Sequence, residues 1–286
     1  THCISSAASD VYKRQMLHAA WSKHVDDHVC ALTTVSGYLA AAIGHEVHTY
    51  AMEPNALTFR RPWDCAFVSS CLASQGSTLV VGDAMHSLTV LTVAEDGSLS
   101  ESARDLHPYW TSAVCVLDTE QQQYLGTDVA MNLFVAERAK GTEPESPWSH
   151  VMRHAAACHF GDLVNAMHTL PGGGVMYATA SGALGTLFRV PEPMACVLLC
   201  LQDAMIEAIP APGDIPWESW RTSRTDTRTE PPHHILDADV LRIFVSDPSV
   251  RPPCLEKARS LAQARDIPLA EMAEERMLHM LHALLS

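Results

Sequence analysis

The sequence predicts a mainly β-sheet fold, a partial β-propeller with WD40-like blades, followed by an α-helical C-terminal domain. Three observations support this prediction. Similar segments recur at intervals of roughly 40 to 50 residues, a period typical of propeller blades. Each segment combines two short apolar strands with a tight polar turn. Downstream of Pro193 the apolar residues take helical spacing, and a hydrophobic content of 47% is sufficient to bury a core.

The recurring segments predict the central hairpins of successive blades. They are GYLAAAIGHEVHTYAM (37–52), STLVVGDAMHSLTVLTV (77–93), QYLGTDVAMNLFVAE (123–137) and GVMYATASGALGTLFRV (174–190). Further apolar segments predict strands that complete four-stranded blades, and they cover residues 66–73, 111–118 and 163–170. The Pro-rich, charged segment RAKGTEPESPW (138–148) predicts a surface loop inserted into the third blade.

Helix signals dominate the rest of the chain. The predicted helices cover residues 194–209, 236–244, 254–265 and 268–285. Asp237 stands where an N-cap is expected, because its carboxylate can accept a hydrogen bond from the first helical turn. Pro268 is placed at the start of the last helix, where its missing N–H is tolerated.

These segments divide the chain into three parts. Residues 1–15 lack the periodicity of the rest and are interpreted as a leader that is not native to the fold. Residues 16–193 are predicted to form about four blades, and residues 194–286 the helical domain. Four blades leave strand edges unpaired, which proteins avoid, so the sequence predicts the C-terminal part of a larger protein.

Composition disfavours several functional classes. The formal net charge of −14 repels phosphate backbones and makes direct contact with nucleic acid unfavourable. Nine cysteines occur without a CxxC motif, which is typical of reduced thiols in the cytosol or nucleus. The longest apolar run, MACVLLCL (194–201), is far shorter than the roughly 20 residues of a membrane span.

Sixteen histidines raise the question of a metal site. The closely spaced pairs have no third ligand at a recognised spacing, and they are His24 with His28, His150 with His154, and His279 with His282. GHEVH (44–48) lacks one residue relative to the HExxH zinc motif and falls in a predicted hairpin turn rather than on a helix. The sequence therefore predicts no metal and no cofactor.

Catalytic motifs are also missing. PGGGV (171–175) has no Lys-Ser/Thr pair and no following helix, so it reads as a hairpin loop rather than a phosphate loop. No G-x-S-x-G elbow occurs. SWRTSRTDTRTEPP (219–232) could bind an anion or an acidic partner through its arginines, or it could be a polar connector. The prediction is a protein that is not an enzyme.

Six segments resemble, in the same order, consecutive segments of the DNA damage-binding protein 1 family. They are VVGDAMHSL (80–88), ARDLHPYWTSAVCVLD (103–118), YLGTDVAMNLFV (124–135), FGDLVNAM (160–167), TASGALGTL (179–187) and RTEPPHHILDADVL (228–241). The resemblance extends from about Leu17 to the C-terminus. The same superfamily includes the A subunit of the cleavage and polyadenylation specificity factor and splicing factor 3b subunit 3.

The resemblance implies a non-enzymatic adaptor of the nucleus and the cytoplasm, linked to DNA repair and protein ubiquitination. Such adaptors have three propellers and a C-terminal helical domain, and they present substrate receptors to a cullin-4 ubiquitin ligase. This chain resembles the last blades of the third propeller plus the helical domain. Cullin-4 docking would require the second propeller, which lies upstream in the family. The alternative is a nucleic-acid-associated scaffold for RNA cleavage, polyadenylation or splicing.

The resemblance also implies a partner-binding wall that receives a helical segment of the substrate receptor. Its predicted residues are Ala84, Met85, His86, Arg104, Trp110, Met131, Asn132, Leu163, Asn165 and Ala180. Trp110 could instead cap the hydrophobic joint between two blades. His86 stands where the family usually has arginine, Ala84 replaces a larger apolar residue and Met131 replaces an aromatic one. These departures imply a weaker or differently selective wall.

Overall fold

The computed structural model describes residues 22–54, 56–138, 150–171 and 173–285. The predicted leader, residues 1–15, lies outside the described residues. So does the predicted surface loop 138–148, apart from its first residue.

Four antiparallel sheets follow one another along the chain, each a meander whose strands pair in sequence order. The first sheet contains β1 (Val29–Val35), β2 (Tyr38–Ile43), β3 (Glu46–Glu53) and β4 (Ala56–Asp64). The second contains β5 (Ser69–Gln75), β6 (Thr78–Asp83), β7 (Leu88–Val93) and β8 (Leu99–Arg104). The third contains β9 (Thr111–Asp118), β10 (Gln123–Asp128), β11 (Asn132–Arg138) and β12 (Met152–His159). The fourth contains β13 (Val164–Thr169), β14 (Val175–Thr179) and β15 (Leu184–Leu187).

The sheets pack face to face through their first strands. β1 lies against β5, β5 against β9, and β9 against β13. Blades that meet along their innermost strands form a partial β-propeller, as the repeat predicted. All four predicted hairpins are antiparallel pairs of the second and third strands of a blade.

The central blades are buried on both faces. On β6, Leu79 and Val81 belong to a core shared with the first sheet, while Val80 belongs to a core shared with the third. Another core joins the third and fourth sheets and contains Cys115, Leu125 and Val175. Burial on both faces explains why these strands read as continuous apolar runs in the sequence.

Five α-helices follow the sheets within the described residues, and β16 and β17 form a short hairpin among them. The elements are α1 (Glu192–Ala208), α2 (Trp217–Arg221), β16 (Ser223–Arg224), β17 (Thr229–Glu230), α3 (Ala238–Ser246), α4 (Arg251–Ala264) and α5 (Glu274–Leu285). Helices α1, α3, α4 and α5 share a core that includes Leu198, Leu201, Phe244, Cys254 and Met277. No described helix is both long enough and apolar enough to cross a membrane.

Two helix predictions gave different outcomes. Asp237 caps α3 as predicted, because its side chain accepts a hydrogen bond from the Asp239 N–H. The helix predicted from Pro268 was wrong over its first turn. Leu269–Met272 is a 3₁₀ turn, and Ala273 has an extended backbone before α5 begins. Met272 is fully buried, so tertiary packing of this turn overrides helix continuity.

The segment from β16 to Asp237 fastens the helices to the third blade. The backbones of Ala157, on the outer strand β12, and His233 exchange two hydrogen bonds at 3.2 and 3.0 Å. The Gln202 side chain of α1 accepts a 2.6 Å bond from the Asp237 N–H and donates to the Ile235 carbonyl. The outer edge of β12 is thereby partly covered. The division into domains at residues 193 and 194 stays a prediction.

Candidate partner-binding surface

Seven connections lie at the same end of the blades, because every second turn of an antiparallel meander returns to one end. We call this end the turn face, and it comprises residues 44–45, 65–68, 84–87, 105–110, 129–131, 160–163 and 180–183. All ten predicted wall residues lie on the turn face or within two residues of it. The tertiary structure therefore brings the predicted residues to one side of the molecule.

Repeated backbone hydrogen bonds make a frame for this face. In each of three successive blades, the central turn donates an N–H to a carbonyl of the connection that enters the same blade. The pairs are Ala84 to Val68 at 2.8 Å, Val129 to Trp110 at 2.9 Å, and Ala180 to Leu163 at 2.8 Å. The connections are consequently held in a fixed arrangement rather than as independent loops.

Large apolar side chains are exposed along four neighbouring connections of the turn face. Their exposed fractions range from 37% to 59%, and they are Phe67, Met85, Leu106, Trp110, Val129 and Met131. Exposed apolar side chains that lie together typically mark an interaction site. None of the seven connections of this face contains lysine or arginine.

The sequence predicted three of these six residues, namely Met85, Trp110 and Met131. It missed Phe67, Leu106 and Val129. A partial signal existed, because a large apolar residue inside a turn lies outside the strands that form the blade core, although Tyr109 shows that a turn residue can still be buried. Of the other predicted residues, Ala84 and Leu163 are partly buried, whereas His86 and Ala180 are exposed.

The six exposed apolar side chains form what we call the apolar row, and the buried carboxylate of Asp83 fixes one end of it. Its Oδ1 accepts hydrogen bonds from the N–H groups of Met85 at 2.8 Å and His86 at 3.0 Å. Its Oδ2 accepts a bond from the N–H of Phe67 at 2.8 Å, which lies in the neighbouring connection. One side chain thus fixes two backbones that present Phe67 and Met85 side by side.

Tyr109 and Trp110 have different roles. Tyr109 is only 2% exposed and stacks on Phe134, with the ring centroids 4.6 Å apart. Trp110 keeps 48% of its surface exposed. Tyr109 therefore fills the joint between the second and third blades, and Trp110 is presented at the surface. Its role in partner binding stays a prediction.

Asn132 is buried against the C-terminal segment, and its role in partner binding stays a prediction. It is 1% exposed, and its amide binds the backbone of Arg224 on β16. Nδ2 donates to the Arg224 carbonyl at 2.8 Å, and Oδ1 accepts from the Arg224 N–H at 3.1 Å. Nδ2 also donates to the Asp128 carboxylate at 2.8 Å. Asn132 therefore fastens the C-terminal segment to the third blade.

Asn165 occupies a position that repeats in every blade. The first strand of each blade has a β-bulge near its start, and the bulged residues are Cys30, Ser70, Ser112 and Asn165. Bulges re-aim a side chain at the rim of a sheet. Ser70 uses this position to bond the Thr111 carbonyl of the next blade at 3.0 Å. Asn165 lies in the last described blade and is exposed, so its amide faces solvent.

Arg104 already has partners in its own blade and in the next one. Its guanidinium makes two bonds to the Glu101 carboxylate, at 3.0 and 2.6 Å, and its backbone N–H donates to the His150 carbonyl at 2.7 Å. A partner that used Arg104 would have to share it with Glu101. The role predicted for Arg104 remains untested.

Two of the three arginines of the 219–232 segment are paired with carboxylates of the same chain. Arg221 Nε donates to the Asp237 carboxylate at 2.8 Å, and Arg228 is paired with Glu230. Burial raises the pKa of Asp237, but the hydrogen bonds from Arg221 and Trp217 lower it further, so its pKa lies below the usual range. These contacts favour the polar-connector interpretation of the segment.

The chain is similar to known proteins. The family model described as the CPSF A subunit region matches residues 6–246. Relatives include DNA damage-binding protein 1 of Drosophila melanogaster, DNA damage-binding protein 1a of Arabidopsis thaliana and DNA damage-binding protein 1 of Oryza sativa subsp. japonica. Their identities to this chain are 28%, 28% and 25%, over 82%, 76% and 86% of its length. The chain spans only 22%, 21% and 23% of theirs. The predicted resemblance is confirmed.

Proposed function

This chain belongs to the CPSF A subunit region family, and on that premise we propose that it is a partner-binding part of a non-enzymatic adaptor similar to DNA damage-binding protein 1. The adaptor presents substrate receptors to a cullin-4 ubiquitin ligase in DNA repair and protein ubiquitination, in the nucleus and the cytoplasm. Cullin-4 contact belongs to an upstream propeller. This chain supplies one wall for the helical segment of a receptor.

The exposed apolar row of the turn face is the observation that supports this function. A helix presents apolar residues three and four positions apart on one side, and such a side can lie on Phe67, Met85, Trp110 and Met131. Trp110 is the expected anchor, because large aromatic residues dominate the energetics of interface centres. Backbone hydrogen bonds already hold the connections in place, so binding loses less conformational entropy by ordering them. Asn165 can bond polar groups at one end of the helix.

A protein partner is favoured over nucleic acid as the ligand of this face. Binding to a phosphate backbone requires clustered lysines and arginines. The seven connections contain none, and the whole chain has a formal net charge of −14. An RNA-processing scaffold of the same superfamily therefore stays the second candidate.

The decisive experiment compares two exposed tryptophans. Trp110→Ala removes the proposed anchor, and Trp220→Ala removes an indole of similar exposure, 53%, on α2. The chain is captured on a biosensor surface, and a helical receptor peptide is titrated over it. Trp110→Ala should weaken binding at least about tenfold, since loss of an interface anchor commonly costs ~2 kcal/mol or more. Trp220→Ala should leave the affinity unchanged.

Circular dichroism of both variants confirms folding. Equal affinity of the wild-type chain and the Trp110→Ala variant, with the fold intact, contradicts the proposal. Equal weakening by both substitutions contradicts it as well, because the effect would then be independent of the turn face. Binding of a single-stranded RNA oligonucleotide in place of the peptide would favour the RNA-processing alternative.

A further inference from the structure

Two residues of one turn-face connection meet a residue of the next blade that is distant in the sequence. Asp105 and His107 begin the connection that leaves β8, and His154 lies on β12 of the next blade. The end of β8 runs parallel to the start of β12, because Arg104 forms a parallel bridge with Val151. Residues 105 and 107 consequently run alongside residues 152 and 154.

The carboxylate of Asp105 lies between the two imidazoles. His107 Nδ1 is 2.5 Å from Oδ1, and His154 Nε2 is 2.9 Å from Oδ2. One ligand atom from each of the three side chains lies within 4.8 Å of the others. Ser87 Oγ donates to Oδ2 at 2.6 Å and holds the carboxylate in this orientation. The spacing suits donor atoms that converge on one ion of zinc size.

Asp105 has a buried carboxylate without a cationic partner of fixed charge. Its side chain has no exposed surface, and in the described part of the chain it forms no ion pair with lysine or arginine. Its hydrogen-bond partners are the Ser87 hydroxyl, the His107 N–H and the two imidazoles. A divalent cation would supply the fixed positive charge that these partners lack.

His154 is held in place by aromatic packing. Its side chain is 4% exposed, and its ring stacks on Phe134 at 5.0 Å and Tyr109 at 5.3 Å. Nδ1 is buried and has no hydrogen-bond partner among the described groups. A buried nitrogen without a partner is unfavourable. Nε2 is therefore the nitrogen of His154 that is available to a ligand, and the stacked rings hold it against Asp105 in advance of any ligand.

We propose that Asp105, His107 and His154 bind a divalent transition-metal ion of the zinc class. Two imidazole nitrogens and one carboxylate oxygen match the preferences of Zn²⁺ and its neighbours, whereas Mg²⁺ and Ca²⁺ prefer oxygen ligands alone. Both imidazoles then carry their proton on the ring nitrogen that faces away from the ion. His107 is partly exposed, with 22% of its side chain accessible, which gives an ion a route from solvent.

The ion would tie the 105–110 connection to β12. That connection carries Leu106 and Trp110, so metal binding would stiffen part of the exposed apolar row without touching a partner. The site does not depend on the proposed adaptor function, and a metal titration tests it separately. The sequence did not predict it, because His154 was paired only with His150 and the other two ligands lie roughly 50 residues away in the chain.

Titration of the purified, metal-free chain with Co²⁺ tests the site. The wild-type chain should develop visible d–d absorption that saturates at about one equivalent, and Zn²⁺ should abolish it by competition. Cobalt is the chosen probe because binding to one of the free cysteines would add a thiolate-to-metal charge-transfer band. Such a band, or no saturable absorption, contradicts the proposal.

Two histidine variants locate the ion. His107→Gln changes a connection between strands and is expected to fold. It should weaken cobalt binding at least about tenfold, since even the loss of a group that only orients a metal ligand costs about 10- to 100-fold. His150→Gln is the matched control, because His150 is a nearby exposed histidine outside the proposed ligand set. Its Nδ1 lies 3.2 Å from the Ser102 carbonyl. Zn²⁺ should raise the melting temperature of the wild-type chain and of His150→Gln, but not of His107→Gln. Wild-type affinity in His107→Gln overturns the assignment.

Discussion

Replacement of Asn132 by alanine tests whether this residue is a structural clamp or a partner contact. The side chain is almost fully buried, and it makes two hydrogen bonds to the Arg224 backbone and one to the Asp128 carboxylate. Asn132→Ala removes all three at once. It should therefore loosen β16 from the third blade and leave the turn face unchanged.

The expected loss of stability follows from those bonds. A neutral hydrogen bond contributes ~1 kcal/mol net, and one to a charged group contributes ~1.5 to 3 kcal/mol. Two neutral bonds and one charged bond give about 4 kcal/mol, and water that reaches the freed Arg224 backbone reduces the loss to about 2 to 3 kcal/mol. Burial raises the pKa of Asp128, and the hydrogen bonds from Asn132 partly counteract this. The pKa of Asp128 should therefore rise further when the Asn132 side chain is removed.

Asn165→Ala is the matched control, because it truncates the same side chain at an exposed position. Its free energy of unfolding should change by less than about 0.5 kcal/mol. Urea denaturation measures the free energy, and hydrogen exchange of residues 223–230 shows whether the loss is at β16. If Asn132→Ala is as stable as the wild-type chain, or if exchange of this segment is unaltered, the clamp assignment is refuted.

Two more predictions concern packing and pH. A Cβ at Gly126 would overlap the ring of Phe134, so Gly126→Ala should destabilise the chain by about 1 to 3 kcal/mol, and an unchanged melting temperature would count against this packing. The lowered pKa of Asp237 means that its pairing with Arg221 stabilises the fold above pH ~3.8 and that this contribution is lost as the pH falls through the folded-state pKa. Asp237→Asn should therefore show a shallower loss of melting temperature than the wild-type chain between about pH 5 and 3, and parallel curves for the two proteins would contradict the assignment.

Local signals in the sequence were sufficient for the repeating hairpins and for one helix start. An apolar strand, a polar turn and a second apolar strand predict a hairpin whatever surrounds them, and all four predicted hairpins are present. The cap at Asp237 is equally local, because the acceptor and the N–H of Asp239 are two residues apart.

Outer strands and the last helix show where local signals end. β4 carries the sequence ALTFRRPWD and is exposed along most of its length, so it has no alternating pattern to detect. Pro62 is tolerated there because an outer strand need not donate every N–H. The helix is interrupted at Ala273 because Met272 is buried against its neighbours. Helix propensity does not include such tertiary contacts and cannot predict the interruption.

Side-chain roles were decided by contacts between blades. Only the packed joint distinguishes Tyr109, which fills it, from Trp110, which is exposed, although the two are adjacent in the sequence. Asn132 and Asn165 have the same side chain, but β16 covers one and leaves the other free. Asp105 meets His154 only because β8 and β12 run side by side. The sequence determined the central hairpins and their turns, since those depend on near neighbours. The tertiary structure decided the surface and the clusters, since those depend on which blades come into contact.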